Sequence, residues 1–383
     1  MIDRRTVIGT GLGSALGLAL SPRLAFAKAA TNRRFIFIIQ RGAADGLGIV
    51  APIGDPAFAD VRRGLAEDFG TAVRLDSTFA LHPSLAVVGE LYGRGQALFA
   101  HAVASPYRDR SHFDGQNVLE TGGAGAYRVK DGWLNRMLDL LPAEEARAIA
   151  LAVTVPLALR GGHEVSSYAP STLPDASDGM LDRVSMLYQG DSQLHALWSE
   201  ALETRALTTG IVDAGRDSAA TGALAAKLLA PDNGARIIMI ETGGWDTHAQ
   251  QRTRLAMQLR ALDALVGALR TGLGPLWADT MVLVATEFGR TVAINGTGGT
   301  DHGTASAAML FGGGLKGGRV IADWPGLGTG ALFEGRDLKP TMQLDSFIAG
   351  AVAEHFVLEP RRVMAGLFPD GAVLRPTSGL VRS

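Results

Sequence analysis

Five short clusters combine acids or histidines with glycine, and most of them adjoin an apolar run. They are RGAADG with Asp45, RSHFDG with His112 and Asp114, GGWDTH with Asp246 and His248, TEFGR with Glu287, and TDHG with Asp301 and His302. A parallel sheet gathers the ends of its strands along one edge, so clusters far apart in sequence can meet there. Oxygen and nitrogen ligands that share one crevice bind hard or borderline divalent metals. The pattern therefore predicts a metal site.

Two of the clusters carry this prediction furthest. Asp246 and His248 lie two residues apart after a predicted strand, so a carboxylate and an imidazole can face one ion. A helix cap would explain the acid but not the histidine. His302 follows GTGGT, whose glycines let backbone approach a ligand closely, and the alternative is a surface loop histidine. Asp45 is either a further carboxylate ligand or a turn residue that bonds nearby N–H groups.

The other clusters suggest how an anionic substrate would be held and attacked. In TEFGR, Glu287 would bind the metal and Arg290 would bind phosphate or sulfate oxygens, or the two would form a structural ion pair. Ser111 lies at a predicted helix start, where a hydroxyl can attack a bound anion or simply cap the helix. The remaining candidates are His112, to attack or relay a proton, and Arg110, Asp114 and Asp301, to contact the substrate.

Composition excludes several classes of site and partner. The 383 residues include no cysteine, so disulfides, thiolate ligands and a cysteine nucleophile are all excluded. The formal net charge is −2 and no basic run occurs, so we expect no nucleic-acid partner.

The first 27 residues predict export. Arg4 and Arg5 precede an apolar stretch over 7–20, and AFA ending at Ala27 fits a cleavage site. That stretch is short and glycine-rich for a membrane span. We therefore expect a twin-arginine signal peptide, the twin-arginine export machinery as a partner, and cleavage that leaves no stable membrane span. The expected location is periplasmic or extracellular.

Hydrophobic patterning predicts an α/β protein. Apolar runs predict strands over 35–40, 97–103, 148–155, 235–240, 281–285 and 307–311. Helices are expected over 112–121, 178–205, 216–230, 253–273 and 341–356. Strands that alternate with helices predict a mostly parallel sheet with helices on both faces. No linker composition or repeat interrupts residues 28–383, so we expect them to form a single domain with loop insertions.

The motifs of this chain, taken in sequence order, resemble those of the family called domain of unknown function 1501. The members of this family are exported bacterial proteins of the alkaline-phosphatase-like clan. The resemblance spans nearly the whole mature chain and includes QRGAADGL, RSHFDGQNVLETG, ETGGWDTHAQQ and ATEFGRTVAINGTGGTDHG. It implies a three-layer αβα sandwich, often two divalent metals, and a nucleophile at a helix start. The ligands that it implies are Asp45, Asp246, His248 and His302.

One departure from the clan changes the expected site. TEFGR takes the place of the clan's Thr-Ser-Asp-His-Gly, so Glu287 replaces an aspartate and Phe288 replaces a histidine. Phenylalanine cannot bind a metal, so one ion is expected rather than two. The clan's nucleophile position falls on Ser111 or His112.

The sequence therefore predicts an exported, metal-dependent hydrolase of a small phosphate or sulfate ester, with Zn, Mn or Ca as cofactor. The alternative is a catalytically degenerate family member that binds a ligand or partner without turnover.

Overall fold

The computed structural model describes residues 32–382 except 144, 170–177, 192–193, 196–197, 200–201 and 203–216. The predicted signal peptide and parts of the predicted helix 178–205 lie outside the described residues. Among the residues described, no helix combines the length and the hydropathy needed to cross a membrane.

Nine of the twelve strands in the described residues form one central sheet. The strands are β1 (Arg34–Gln40), β2 (Val50–Ala51), β3 (Val73–Arg74), β4 (Ala80–Leu81), β5 (Ala97–Ala104), β6 (Ala148–Leu151), β7 (Ser166–Ser167), β8 (Ile237–Thr242), β9 (Thr280–Ala285), β10 (Ser306–Phe311), β11 (Arg319–Ile321) and β12 (Met342–Gln343). The sheet order is β11-β5-β10-β9-β1-β8-β6-β7, with β12 also paired to β5. Among these described strands of the central sheet, only β10 runs antiparallel to its neighbours, β5 and β9. The predicted mixed α/β fold with a mostly parallel sheet is confirmed.

Helices cover both faces of this sheet. The described helices are α1 (Gly46–Ile49), α2 (Phe58–Arg62), α3 (Ala86–Gly93), α4 (His112–Thr121), α5 (Trp133–Leu138), α6 (Asp178–Tyr188), α7 (Ser218–Leu229), α8 (Gln251–Leu273), α9 (Leu344–Phe356) and α10 (Pro360–Leu367). Phe35 and Phe37 of β1 pack with α5, α9 and α10, whereas Ile36 and Ile38 pack with α3, α7 and α8. This alternation is what a strand buried on both faces requires.

Strand direction brings the predicted clusters to one edge of the sheet. Gln40 at the end of β1 pairs with Thr242 at the end of β8, and Ile39 pairs with Ala285 at the end of β9. The loops after these three strands therefore leave the same edge. Because β10 runs the other way, the segment that precedes it, which contains His302, arrives at that edge too. The end of β5 lies at the same edge of the sheet and is followed by α4.

Some predicted elements differ in length. The strand predicted over 148–155 ends at Leu151. The helix predicted over 341–356 begins at Leu344, because β12 occupies 342–343, and α10 follows it. A separate three-stranded antiparallel sheet, β2-β4-β3, was not predicted, because strands of two residues show no periodicity.

Asp345, in the first turn of α9, should make stability depend on pH. Burial raises the pKa of Asp345 to about 7 and outweighs the favourable helix dipole. Between pH 3.8, the ordinary pKa of an aspartate, and pH 7, the folded state therefore keeps a proton on Asp345 that the unfolded chain releases. Over this range the free energy of unfolding falls by about 1.4 kcal/mol for each pH unit. Asp345→Asn should match the wild type near pH 4 and be increasingly more stable towards pH 7 in urea titrations. A stability difference that does not change with pH would contradict this assignment.

Candidate metal centre

Three histidines direct their Nε2 atoms towards one carboxylate. His248 Nε2 lies 3.0 Å from Asp246 Oδ1, and His302 Nε2 lies 3.3 Å from the same oxygen. His112 Nε2 lies 3.5 Å from Asp246 Oδ2. The ligand atoms of His112, Asp246 and His302 all lie within 4.8 Å of one another. The two Nε2 atoms of His248 and His302 are 3.0 Å apart. His248 Nε2 thus joins this group of three through Asp246 and His302, and the four side chains come from three distant segments.

The other ring nitrogen of each histidine is held by an acceptor. His112 Nδ1 lies 2.8 Å from Glu287 Oε1, and His248 Nδ1 lies 3.0 Å from Asp301 Oδ1. His302 Nδ1 lies 3.0 Å from the Arg110 carbonyl oxygen. In the neutral form of each ring these contacts place the proton on Nδ1, so that the Nε2 lone pair faces the centre. The hydrogen bond to Glu287 raises the pKa of His112, which favours the protonated form of that ring when no metal is bound.

This donor set fits a cation. Lone pairs of His248 and His302 face each other and Asp246, so a proton or a metal ion must lie among them. His112 Nε2 is buried and has no hydrogen-bond partner in the described part of the chain. Imidazole rings oriented by carboxylates and carbonyls are the usual ligands of protein zinc sites. Three imidazoles and one carboxylate suit Zn or Mn better than Ca, which takes oxygen ligands.

Backbone conformation builds the two loops that carry these ligands. Arg110 has φ +61°, in the left-handed region, which turns its carbonyl towards His302 immediately before α4. Gly303 has no room for a side chain, because a Cβ there would lie 2.4 Å from the Arg290 backbone. Glycine at this position therefore lets the His302 loop lie against the TEFGR segment.

The carboxylates of the site are ionised. Burial would raise the pKa of Asp246, but the hydrogen bond and charge of Arg290 lower it below its ordinary value. Burial likewise opposes ionisation of Glu287, but hydrogen bonds from His112 and from backbone N–H groups lower its pKa. The hydrogen bond from His248 lowers the pKa of Asp301. Burial lowers the pKa of His302, which favours its neutral, ligating form.

Asp45 is placed elsewhere than the resemblance implied. It is 1% exposed, and its two oxygens accept hydrogen bonds from Arg62 at 2.7 and 2.9 Å. Gln251 Nε2 also donates to Asp45, at 2.5 Å. The carboxylate is thus occupied by a buried guanidinium rather than directed at the four donors, because a buried charge requires a partner.

The structure gives supporting positions to four other predicted residues. Glu287 and Asp301, predicted as a metal ligand and a substrate contact, orient His112 and His248 instead. Arg290, predicted to bind the anion, donates to Asp246 at 2.6 Å. The Arg110 guanidinium is bound to Asp337 at 2.9 Å and to Glu334. Each cation is committed to a carboxylate, which the sequence could not reveal because the partners are distant.

Ser111 and Asp114 lie at the start of α4. Ser111 occupies the N-cap position, but its side chain makes no capping hydrogen bond, so its hydroxyl is not used as a cap. Asp114 lies in the first turn, 3.5 Å from the Tyr107 hydroxyl. The first N–H groups of a helix lack intrahelical partners and attract anions.

Phe288, for which the resemblance implied a histidine in related proteins, packs beside the histidines of the candidate centre. Its ring stacks on His112 with centroids 5.1 Å apart and lies 5.3 Å from His302. It packs in a small apolar cluster with Ala43, Tyr107 and Val118. Apolar surface therefore adjoins the donors on this side.

A buried chain of hydrogen bonds, not predicted from the sequence, connects Asp45 to Asp246. Gln251, bound to Asp45, accepts from the Thr300 hydroxyl at 2.5 Å. That hydroxyl accepts from Arg290 Nε at 3.1 Å, and Arg290 donates to Asp246. The chain fixes the orientation of the Asp246 carboxylate from the interior.

Thr300→Val should weaken metal binding without unfolding the protein. The substitution keeps the shape of the side chain but removes the hydroxyl that joins Gln251 to Arg290. Loss of such an orienting contact lowers metal affinity by about tenfold. Zinc affinity measured by chelator competition tests this. Thr280→Val is the control, because its buried hydroxyl bonds only the Leu276 carbonyl in the described residues. Equal affinities in all three proteins would show that the chain is only structural.

A family model described as protein of unknown function (DUF1501) matches residues 32–367. The chain belongs to the DUF1501 family. This confirms the resemblance seen in the sequence. No curated protein matches this DUF1501 chain.

Solved structures similar to this DUF1501 protein include three bacterial proteins. One is the C-terminal periplasmic domain of EcEptC from Escherichia coli in complex with Zn, 8% identical with a TM-score of 0.36 over 75% of this chain and 77% of that chain. Another is alkaline phosphatase from the Antarctic bacterium TAB5, 12% identical with a TM-score of 0.34 over 75% and 94%. A third is the Bacteroides thetaiotaomicron protein BT33494S-sulf, 9% identical with a TM-score of 0.35 over 76% and 69%. At these identities the likeness concerns the fold alone.

Proposed function

We propose that this protein is a hydrolase of phosphate or sulfate esters that uses one divalent metal ion, zinc or manganese. The supporting observation is the convergence of three Nε2 atoms on Asp246, each ring held at Nδ1 by its own acceptor. His112, Asp246, His248 and His302 would hold the ion. A divalent cation there would act as a Lewis acid on an ester oxygen.

The chain's own groups support anion binding at this place. The N-terminus of α4 begins at His112, so its free N–H groups and positive dipole end lie beside the donors. Ser111 brings a hydroxyl that makes no capping bond to the same helix start. We infer that this hydroxyl attacks phosphorus or sulfur: a bond from Ser111 Oγ forms as the bond to the alcohol oxygen breaks, and the hydroxyl proton leaves with the alcohol. Water then hydrolyses the ester of Ser111, which releases phosphate or sulfate and restores the hydroxyl. Arg290 holds Asp246 in place rather than contacting the substrate.

The direct test combines elemental analysis with two generic substrates. Purified mature protein should carry about one zinc or manganese ion, and should cleave 4-nitrophenyl phosphate or 4-nitrophenyl sulfate. Ser111→Ala should abolish turnover while metal content stays unchanged; full turnover in this variant would assign the attack to water.

The same experiment separates the alternative, a binding protein without turnover. Bound metal with no cleavage of either ester would favour that alternative. Protein that binds no added zinc or manganese at all would refute the metal centre itself.

We also propose that the chain is exported by the twin-arginine route. The Arg4-Arg5 pair ahead of an apolar stretch supports this. Replacing both arginines by lysine in the full chain should retain the precursor in the cytoplasm. Fractionation and immunoblotting measure it, and processing that continues in the double variant would refute this route.

A further inference from the structure

One arginine beside the candidate metal centre keeps hydrogen-bonding capacity free. Arg336 Nη2 donates to the His302 carbonyl oxygen at 2.5 Å, and Arg336 Nε donates to Asp337 Oδ1 at 2.8 Å. Arg336 Nη1 makes no hydrogen bond or ion pair within the described residues, and the side chain is 48% exposed. The Arg290 side chain, by contrast, is fully buried and donates to Asp246. Arg336 is thus a guanidinium at this centre that can still bind a ligand.

A tight turn fixes the backbone that carries Arg336. The Arg336 N–H donates to the Phe333 carbonyl at 3.1 Å, and the two residues between them, Glu334 and Gly335, have φ +52° and +66°. Positive φ at both central positions is typical of a type I′ turn, which glycine adopts freely and glutamate only at a cost. Phe333 and Asp337 close the turn through backbone hydrogen bonds of 2.9 and 3.0 Å. A strained residue retained beside a candidate site supports a functional role for this turn.

A shared buried carboxylate holds Arg336 next to the start of α4. Asp337 is fully buried, and its Oδ2 accepts from Arg110 Nε at 2.9 Å while its Oδ1 accepts from Arg336. Arg110 directly precedes Ser111, and the Arg110 carbonyl oxygen lies 3.0 Å from His302 Nδ1. The Arg336 guanidinium is therefore tied through one contact to the helix start and through the other to the backbone of a proposed metal ligand.

The positive charge of Arg336 is only partly compensated. One carboxylate, that of Asp337, serves both Arg336 and Arg110, and Glu334 forms its ion pair with Arg110. The N–H groups of a guanidinium bind phosphate and sulfate oxygens with directional, charge-assisted hydrogen bonds. Because two contacts already hold the Arg336 side chain, little conformational freedom would be lost when an anion binds. Charge and geometry therefore both favour an oxyanion at Arg336 Nη1.

We propose that Arg336 binds a nonbridging oxygen of the phosphate or sulfate group of the substrate. This inference rests on the proposed function, in which the same anion lies at the start of α4. It gives Arg336 the substrate contact that the sequence suggested for Arg290 and Arg110, whose side chains instead hold Asp246 and Asp337. A contact made equally in the ground state and in the transition state lowers KM and leaves kcat unchanged.

Kinetics of two variants test this contact. In Arg336→Gln, the KM for the 4-nitrophenyl ester that the wild type cleaves should rise at least about tenfold, because a hydrogen bond to a charged group is lost. The kcat should change little. Arg336→Lys keeps the charge and should recover part of the loss. Metal content should stay at the wild-type value in both variants. A wild-type KM in Arg336→Gln would overturn the proposal, and so would loss of the metal, which would show that Arg336 only supports His302.

Arg252→Gln is the matched control for general effects of charge. The Arg252 side chain is 54% exposed, and its Nε donates to an aspartate, Asp68, at 2.6 Å, as Arg336 Nε does to Asp337. The loss of Arg252 should leave KM unchanged. An equal rise of KM in the Arg252 and Arg336 variants would show a long-range effect of charge and would contradict a direct contact.

A binding measurement with inorganic phosphate needs no turnover. Isothermal titration of the zinc-loaded protein with phosphate should show binding that weakens at least about tenfold in Arg336→Gln and stays unchanged in Arg252→Gln. If neither ester is cleaved but phosphate binding depends on Arg336 in this way, the proposed hydrolase fails and the anion contact stands. Turnover in a wild type whose phosphate affinity is unaffected by Arg336→Gln would refute the contact and leave the hydrolase intact. A wild type that binds no phosphate would refute the contact as well.

Discussion

Replacing His302 by alanine is expected to lower zinc affinity by more than about 100-fold, because the substitution removes a proposed metal ligand. Loss of a residue that only orients a ligand already lowers metal affinity by about 10–100-fold. His302 Nε2 lies 3.3 Å from Asp246 and 3.0 Å from His248 Nε2, so the remaining donors lose their central member. Turnover of any ester should be lost with the ion. Isothermal titration with zinc and elemental analysis measure the effect.

His163→Ala is the matched control for this substitution. The His163 side chain is 34% exposed against 27% for His302, and it also contacts a carboxylate, Asp139 at 2.8 Å. Its loss should leave metal content and activity unchanged. If His302→Ala kept one equivalent of zinc with wild-type affinity, the ion would have to be bound elsewhere.

Glu287→Gln is expected to damage both stability and metal binding. Glu287 is fully buried, and Oε1 accepts from the Gly42 N–H and the Gln116 amide as well as contacting His112 Nδ1. The Thr286 hydroxyl donates to Oε2. A carboxamide replaces one acceptor by an NH₂ group that faces donors. Breaking such a buried charged network costs about 3 kcal/mol of unfolding free energy, and loss of His112 orientation lowers metal affinity about 10–100-fold.

Glu120→Gln shows whether the two effects are separate. Glu120 is also buried on α4 and accepts from Arg41 at 2.8 Å and from the Ala158 N–H at 3.0 Å. Its substitution should cost comparable stability in a urea titration while zinc affinity stays unchanged. If both variants weakened zinc binding equally, the effect of Glu287 would reflect general loosening of α4.

The residues that meet at the centre were largely accessible from the sequence. Asp246 and His248 follow a strand, and the buried apolar character of β1, β8 and β9 is enough to predict strands of a mostly parallel sheet. That β1 lies between β8 and β9 was seen only in the structure. His302 precedes β10 rather than following it, and it reaches the same edge because β10 is antiparallel. Hydrophobic periodicity does not reveal strand direction, so the position of His302 beside Asp246 and His248 could not be predicted from the sequence.

The roles of the charged residues were less accessible. Asp45 was open to two interpretations, and the deciding partner, Arg62, lies 17 residues away on α2. Glu287 and Arg290 looked like a ligand and an anion binder because local sequence shows charge but not its partner. The carbonyl of Arg110 escaped attention altogether, since a backbone oxygen has no identity in a sequence. Short elements such as α5, with six residues, lack the length that reveals a helical period.

Phe288 bears on which leaving groups such a centre could expel. Under the proposed function, a single ion beside this aromatic ring would stabilise charge on the attacking oxygen or on the departing oxygen, but not on both. Rates should then fall steeply along a series of aryl esters as the phenol becomes less acidic. The slope of a plot of log kcat/KM against the pKa of the departing phenol would measure the charge that develops on the departing oxygen without stabilisation by the ion.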